Sequence, residues 1–247
     1  MKTLYVAWQD PKNLTWFPVG ALKHDTKESK YTFSYTKGAL ESKNFSAFGR
    51  MTDLHKTYES EELFPLFNNR LLHDKRPEYK EYIKWLNITD DENTPFMQLS
   101  RSGGIRGTDS IELFPKPEKT IDNKFNIIFF NHGLRHFSEQ AIKRVDQITP
   151  GEKLYLMKDM QNKFDPNAMA IRANNPPVLL GFCPRYLAKD LQDLFMHVKQ
   201  DEIDLVAKRV NSDAPTQLRL LLELTSPWPD DFNPCSEKFY EPLNREY

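Results

Sequence analysis

A polar, proline-containing stretch at residues 116–124 (KPEKTIDNK) constrains the fold most, because it separates two regions with different hydrophobic patterns. It lacks the apolar periodicity of a helix or strand, which is typical of a linker. The chain is therefore predicted to be an α+β protein of two domains. We place these at residues 1–118 and 125–228, with a linker at 119–124 and an acidic, proline-rich tail at 229–247.

The N-terminal region begins with strand patterns and continues with helical ones. The runs LYVAW, WFPVGAL and YTFSY combine β-branched or aromatic residues with short length, which favours strands. Apolar residues then recur at helical spacing in 59–72 and in 77–88, and Pro65 is early enough to lie in a first helical turn. This order predicts a mixed sheet with helices.

The C-terminal region contains many short apolar runs and one long amphipathic helix. The helix is predicted at 186–200, where Leu187, Leu191 and Leu194 share one side. Strands of this number and length favour a small, strongly bent sheet or a β-barrel-like fold with one or two helices. The runs are NIIFF, KLYLM, AMAIRA, VLLGFC, DLVAKRV and LRLLLEL.

Composition excludes several classes of protein. The 247 residues carry a formal net charge of −1, so broad, sequence-independent coating of nucleic acid is not expected, although a compact pocket needs only a few cations. The two cysteines and six histidines match no metal motif, and a partial site from His132, His136 and Cys183 is disfavoured. We expect no metal, no cofactor, no membrane span and a cytoplasmic location.

Catalytic motifs are also missing. The sequence holds no nucleophile elbow, Walker motif or kinase motif. The run SGGIRGTD resembles a phosphate-binding loop but lacks the Lys and Ser/Thr that follow in such loops. The favoured explanation for its glycines is a loop backbone that requires positive φ. The sequence therefore predicts a protein that is not an enzyme.

The connection NKFDPN at 162–167 is the most unusual short segment. Asn, Asp and Pro are common in turns, because Asx side chains bond nearby backbone N–H groups and Pro restricts φ. Phe164 is not a turn residue. Its ring either packs into the core from above or contacts a ligand, and the local pattern leaves both alternatives open.

Residues near the predicted strand ends supply groups that complement this turn. If the strands around 129–136, 153–158 and 168–182 are neighbours, their ends could form one pocket. It would hold a ring for stacking, cations for a phosphate and a carboxylate for a sugar hydroxyl, which are the groups that bind a terminal nucleotide. The residues are Arg135, His136, Phe164, Asp165, Phe182 and Arg185.

Three motifs in this region resemble the HIRAN domain. They are GLRHF, NKFDPNAMAI and LLGFCPRYLAKDL, in that order, and the resemblance covers about residues 125–225. The family implies a small β-barrel-like fold that holds the free 3′-hydroxyl end of single-stranded DNA. The resemblance assigns binding to Arg135, His136, Asn162, Phe164, Asp165, Phe182 and Arg185. His136 stands in place of an aromatic ring, and Phe164 in place of a tyrosine.

The N-terminal region is similar to the N-terminal subdomain of HipA-type serine/threonine kinases, without the kinase core. The similarity rests on FPVGAL, YTFSY, GALES, ELFPLFNNRLL and SIELFPKPE within residues 4–118. It implies an alternative function as an antitoxin-like partner of a HipA-like kinase, together with a helix-turn-helix protein. Arg101 and Arg106, in a polar loop, are the residues predicted to contact such a partner.

Overall fold

The computed structural model describes residues 2–244, which divide into two compact units. The first unit comprises the chain up to Ile83, Ile88–Lys116 and the chain from Cys235 onward, and the second comprises Lys84–Asn87 and Pro117–Pro234. The predicted tail is thus divided between the units, and residues 245–247 lie outside the described part. No helix between residues 2 and 244 has the length and hydropathy to cross a membrane.

The first unit is built on a five-stranded sheet. Its order is β4-β3-β2-β1-β5, and each neighbouring pair is antiparallel, so the expectation of a mixed sheet is wrong for the described strands. Alternating side chains from these strands, among them Phe33 and Leu113, form its core. The strands are β1 (Lys2–Gln9), β2 (Trp16–Asp25), β3 (Lys30–Tyr35), β4 (Tyr58–Ser60) and β5 (Ile111–Pro115).

Helices in residues 59–102 are shorter than their apolar pattern predicts. The helix predicted at 59–72 is reduced to α1 (Pro65–Asn68), because Tyr58–Ser60 pairs with β3 and leaves only the turn that Pro65 begins. The second predicted helix is α2 (Tyr79–Trp85). A third, α3 (Pro95–Ser102), starts where Thr94 accepts the Met97 N–H in an N-cap.

The second unit contains a six-stranded sheet in the order β6-β11-β10-β7-β8-β9. Leucines of the long helix, including Leu187 and Leu191, pack on the inner face of this sheet in one hydrophobic core. A second, short helix follows β6 and is capped by Ser138. The elements are β6 (Lys124–Phe130), α4 (Glu139–Asp146), β7 (Lys153–Lys158), β8 (Met169–Ala173), β9 (Val178–Phe182), α5 (Arg185–His197), β10 (Asp204–Val210) and β11 (Leu220–Pro227).

The six-stranded sheet bends until its two edges meet at one point. β6 and β9 are the edge strands, and an isolated bridge joins His132, just after β6, to Phe182. Both of its hydrogen bonds measure 2.9 Å between N and O. The Asn131 side chain adds a third bond, from Nδ2 to the Leu180 carbonyl oxygen at 2.8 Å. The predicted β-barrel-like fold is therefore an open sheet, held at its edges by this bridge.

Gly181 is required at the bridge for two reasons. Its φ is +149°, in a region that L side chains rarely adopt. A Cβ atom there would lie 2.5 Å from the His132 carbonyl oxygen and 2.8 Å from Asn131 Nδ2. Both neighbours are held by the hydrogen bonds across the edges, so they cannot move away without breaking them.

We predict that Gly181→Ala lowers the free energy of unfolding by at least about 2 kcal/mol, through strain and the clash with His132. Gly151→Ala is the matched control, because Gly151 also has positive φ, +88°, but has open space around it. Its cost should be only about 1 kcal/mol, from backbone strain. Urea unfolding of both full-length variants measures the difference, and equal losses would contradict the clash.

The His132 side chain makes the bridge sensitive to acid. Burial lowers the pKa of His132 from 6.5 to about 4. Because the unfolded chain takes up the proton first, stability is unaffected above about pH 6.5 and is lost as the pH falls towards 4. We predict that His132→Asn removes a slope of up to about 1.4 kcal/mol per pH unit in this window. Urea midpoints of both proteins across the window test this, and parallel slopes would refute it.

Candidate functional site

The connection between β7 and β8, residues 159–168, is a compact turn stabilised by its own side chains. The Asp159 N–H donates to the Ala168 carbonyl oxygen at 2.9 Å, which closes the turn. Asn162 Oδ1 accepts the N–H groups of Phe164 and Asp165, each at 3.0 Å. The Asn and Asp residues of the motif thus determine the backbone conformation at Phe164.

Phe164 projects from this turn into solvent. Its exposed fraction is 81%, so the alternative in which the ring packs into the core is wrong. The backbone on both sides of the ring is ordered by the Asn162 bonds. An exposed aromatic ring on an ordered turn is available for contact with a flat ligand at a small cost in backbone entropy.

Asp165 and Arg185 connect the turn to the start of α5. Arg185 Nε donates to Asp165 Oδ2 at 3.2 Å, and Arg185 Nη2 donates to the Phe164 carbonyl oxygen. The Asp165 side chain is mostly buried, with 16% exposure. About two helical turns further along α5, Gln192 Nε2 donates to the Asn167 carbonyl oxygen at 2.7 Å. The turn is therefore attached to α5 at two places.

Phe182, Arg135 and His136 are positioned by the bridge at the sheet edges. Phe182 pairs with His132, and a short 3-10 turn, residues 134–136, follows. In this turn Arg135 Nε donates to His136 Nε2 at 3.0 Å, and both side chains are exposed. The Phe137 ring lies next to Phe182, with 5.6 Å between centroids.

The predicted residues lie in two groups that adjoin the end of β9. Asn162, Phe164, Asp165 and Arg185 form one hydrogen-bonded group. Arg135 and His136 form the other, beyond the bridge to Phe182. Phe182 ends β9 and is followed after two residues by Arg185, so it links the groups. The pocket prediction assumes that the strands around this site are all neighbours in one sheet. This holds for β7, β8 and β9, whereas β6 lies at the other edge and is connected to β9 by the bridge.

Two residues that support the site were not predicted. Phe137 packs on Phe182. The sequence offered one indication of this role, because Phe137 is an aromatic residue only two positions after Arg135. Gln192 holds the turn through Asn167, and it carried no signal, because a polar residue on an amphipathic helix is ordinarily solvated. Only the fold shows that this position faces the turn.

The site carries exposed positive charge and a buried thiol. Arg185 is paired with Asp165, whereas Lys163 in the turn and Arg135 beyond the bridge are both exposed cations. Burial, and then the nearby Asp165 carboxylate, raise the pKa of the Cys183 thiol, so it is protonated at neutral pH. Within residues 2–244 there is no cluster of three or more His, Cys, Asp and Glu side chains that could hold a metal ion.

The residues predicted to contact a protein partner lie in the first unit. Arg101 is half-buried in α3, and Arg106 is exposed in the loop that follows. Gly103 and Gly104 both have positive φ, as the glycine-turn interpretation of this loop requires. The loop is also restrained by Arg70, which donates to the Gly104 carbonyl oxygen and to Asp109. The partner role of Arg101 and Arg106 stays a prediction.

Comparison with known proteins identifies the second unit. The family model described as HIRAN domain matches residues 124–228. Among solved structures, a Lactobacillus plantarum protein is 16% identical over 42% of this chain and 96% of its own, with a TM-score of 0.33. The HIRAN domain of human HLTF is 17% identical over 43% of this chain and 81% of its own, with a TM-score of 0.32. No curated protein matches the chain.

Both structural similarities are low, so the assignment depends on the family model. It covers the predicted turn, the bridge and the start of α5. The similarity of residues 4–118 to the HipA subdomain has no support from these comparisons and stays a prediction. Residues 124–228 of this chain match the HIRAN domain family.

Proposed function

We propose that residues 124–228 bind the 3′-hydroxyl end of single-stranded DNA and that the protein acts by binding and not by catalysis. The observation that carries the proposal is the exposed Phe164 ring, held on an ordered turn beside Asp165 and Arg185. The match of this region to the HIRAN family supports it, because HIRAN domains are nucleic-acid-binding modules.

Each group of the site has a distinct part in this proposal. The terminal base stacks on Phe164, as bases do on exposed rings in other single-strand binding proteins. Asp165 accepts a hydrogen bond from the sugar hydroxyl. Its carboxylate already accepts from Arg185 Nε and the Asn167 N–H, and two oxygens have lone pairs for a third donor. Arg135 and Lys163 attract the phosphates.

Two residues near the site, Cys183 and His132, have protonation states unsuited to nucleophilic attack and to general-acid catalysis. The Cys183 thiol is buried with a raised pKa, and the His132 pKa is lowered to about 4 by burial. Near neutral pH the thiol is therefore not the thiolate that it needs to be to attack, and the imidazole is not the cation that it needs to be to act as a general acid. This supports the part of the proposal that concerns binding without turnover.

Phe164→Ala should weaken binding of a 3′-hydroxyl oligonucleotide by about 1–3 kcal/mol, because a base loses its stacking partner. The fold should be unchanged, since the ring is exposed. Met160→Ala is the matched control: Met160 lies in the same connection and has the same exposed fraction of 81%, but no ring. Fluorescence anisotropy gives the affinities, and thermal unfolding checks the fold. Equal affinities of both variants and the wild type would exclude a role for the ring.

A phosphate on the 3′ end should weaken binding by roughly tenfold, because it replaces the hydroxyl donor and brings negative charge next to Asp165. A phosphate on the 5′ end of the same oligonucleotide is the control and should have little effect. The salt dependence should be shallow, since only a few cations contact phosphates. A steep salt dependence with equal binding of all ends would indicate general attraction to the backbone and not end recognition.

A further inference from the structure

The outer face of strands β7, β8 and β9 is exposed or half-exposed, apart from the buried Ala170, and is continuous with the candidate site. Side chains alternate along a strand, and the inner positions of these strands, such as Leu156, Ile171 and Leu180, lie in the core. The register therefore places the intervening residues on the opposite side. We call this surface the outer face, and its residues are Lys153, Tyr155, Met157, Ala170, Arg172, Leu179 and Phe182.

A β-bulge brings Phe182 onto this face. The pairing of β8 with β9 shifts between Ile171 and Arg172, so that Leu179 lies opposite Arg172 and Phe182 lies opposite Ala170. Without the shift, Phe182 would share the inner side with Leu180. The bulge therefore joins the outer face to the bridge at His132 and to the turn before Arg185.

The outer face carries rings, apolar groups and positive charge. One row across the three strands is Tyr155, Arg172 and Leu179, and the next is Met157, Ala170 and Phe182. Met157 is 46% exposed and Leu179 is 41% exposed. The two charged side chains of the face, as defined above, are both cations, Lys153 and Arg172.

Arg172 lies at the centre of this face. Lys153 is paired with Asp204, at 3.5 Å between Nζ and Oδ1. Arg172, in contrast, has no side-chain hydrogen bond or ion pair with any residue in the part of the chain that the structure describes. Arg172 is thus a half-buried cation without an internal partner, and Tyr155 and Leu179 flank it. Such a cation is suited to bind a phosphate of an external ligand whose bases lie on either side of that phosphate.

We infer that the outer face binds the nucleotides on the 5′ side of the terminal one, with a base on Tyr155 and a phosphate at Arg172. The inference rests on the proposed function for the direction of the strand. Strand spacing and rise place Phe182 and Tyr155 about 12 Å apart, so bases on the two rings belong to different nucleotides. The strand thus runs from the turn across Phe182 to Tyr155, and the sheet extends the contact beyond the end pocket.

The test compares two 3′-hydroxyl oligonucleotides, one of two nucleotides and one of six, bound to the full-length protein in anisotropy titrations. The wild type should bind the longer one at least about tenfold more tightly, because added stacking and a phosphate contact are available. Arg172→Gln and Tyr155→Ala should each remove most of this gain and leave the shorter oligonucleotide unaffected. Arg172→Gln should also reduce the salt slope by roughly one phosphate contact.

Three controls separate the outer face from other effects. Tyr155→Phe keeps the ring and should keep the gain, whereas a fold defect would weaken binding of both lengths and lower the melting temperature. Lys143→Gln removes an exposed cation from α4, whose Ala141 and Val145 lie in the core, and should change nothing. Phe164→Ala should weaken both lengths by the same factor, because it acts at the end.

The outcomes distinguish this inference from the proposed function. Equal binding of both lengths, with a preference for the 3′ hydroxyl, overturns the inference and leaves the end pocket. A length effect that depends on Arg172 and Tyr155, with binding of both lengths unchanged by Phe164→Ala, supports the outer face and overturns end recognition. Binding of neither length overturns both. A change of oligomeric state in Arg172→Gln without any effect on DNA binding overturns the inference alone and would indicate an interface between copies.

Discussion

The bridge between His132 and Phe182 is the interaction on which the candidate site depends. The residues on its two sides, Arg135 and Arg185, come from opposite edges of a six-stranded sheet, and strand pairing alone would leave them apart. Two backbone hydrogen bonds and the Asn131 amide bring these edges together. The geometry is possible only because Gly181 lacks a Cβ atom, so one glycine determines whether two halves of the site meet.

The site combines a rigid support with an exposed contact surface. Many of the hydrogen bonds of the turn are internal, from Asn162 and Asp165, and others attach it to α5 through Arg185 and Gln192. Such a turn loses little conformational entropy when a ligand binds, since its backbone is already ordered. The exposed Phe164 ring is then the group that gains contact. The proposed binding of a strand end therefore needs no large basic surface, which agrees with the formal net charge of −1.

The departures from the HIRAN pattern have a structural context. His136 is exposed, and its Nε2 accepts a hydrogen bond from Arg135, so the ring orients a cation. Aromatic surface is provided nearby by Phe137, which packs on Phe182. The outer face adds Tyr155 on β7. Rings are thus distributed over the turn, the sheet edge and the sheet face.

The sequence by itself determined the strands other than β4, the long helix and the turn that carries Phe164, because these depend on local periodicity and on Asx and Pro chemistry. It could not decide whether Phe164 is buried, since burial depends on what packs above the turn. It predicted a helix at 59–72, which is only one turn long because Tyr58–Ser60 pairs with β3 instead. The bridge, the bulge that turns Phe182 outward and the position of Gln192 were decided only by tertiary structure, because each joins residues from separate elements of the fold.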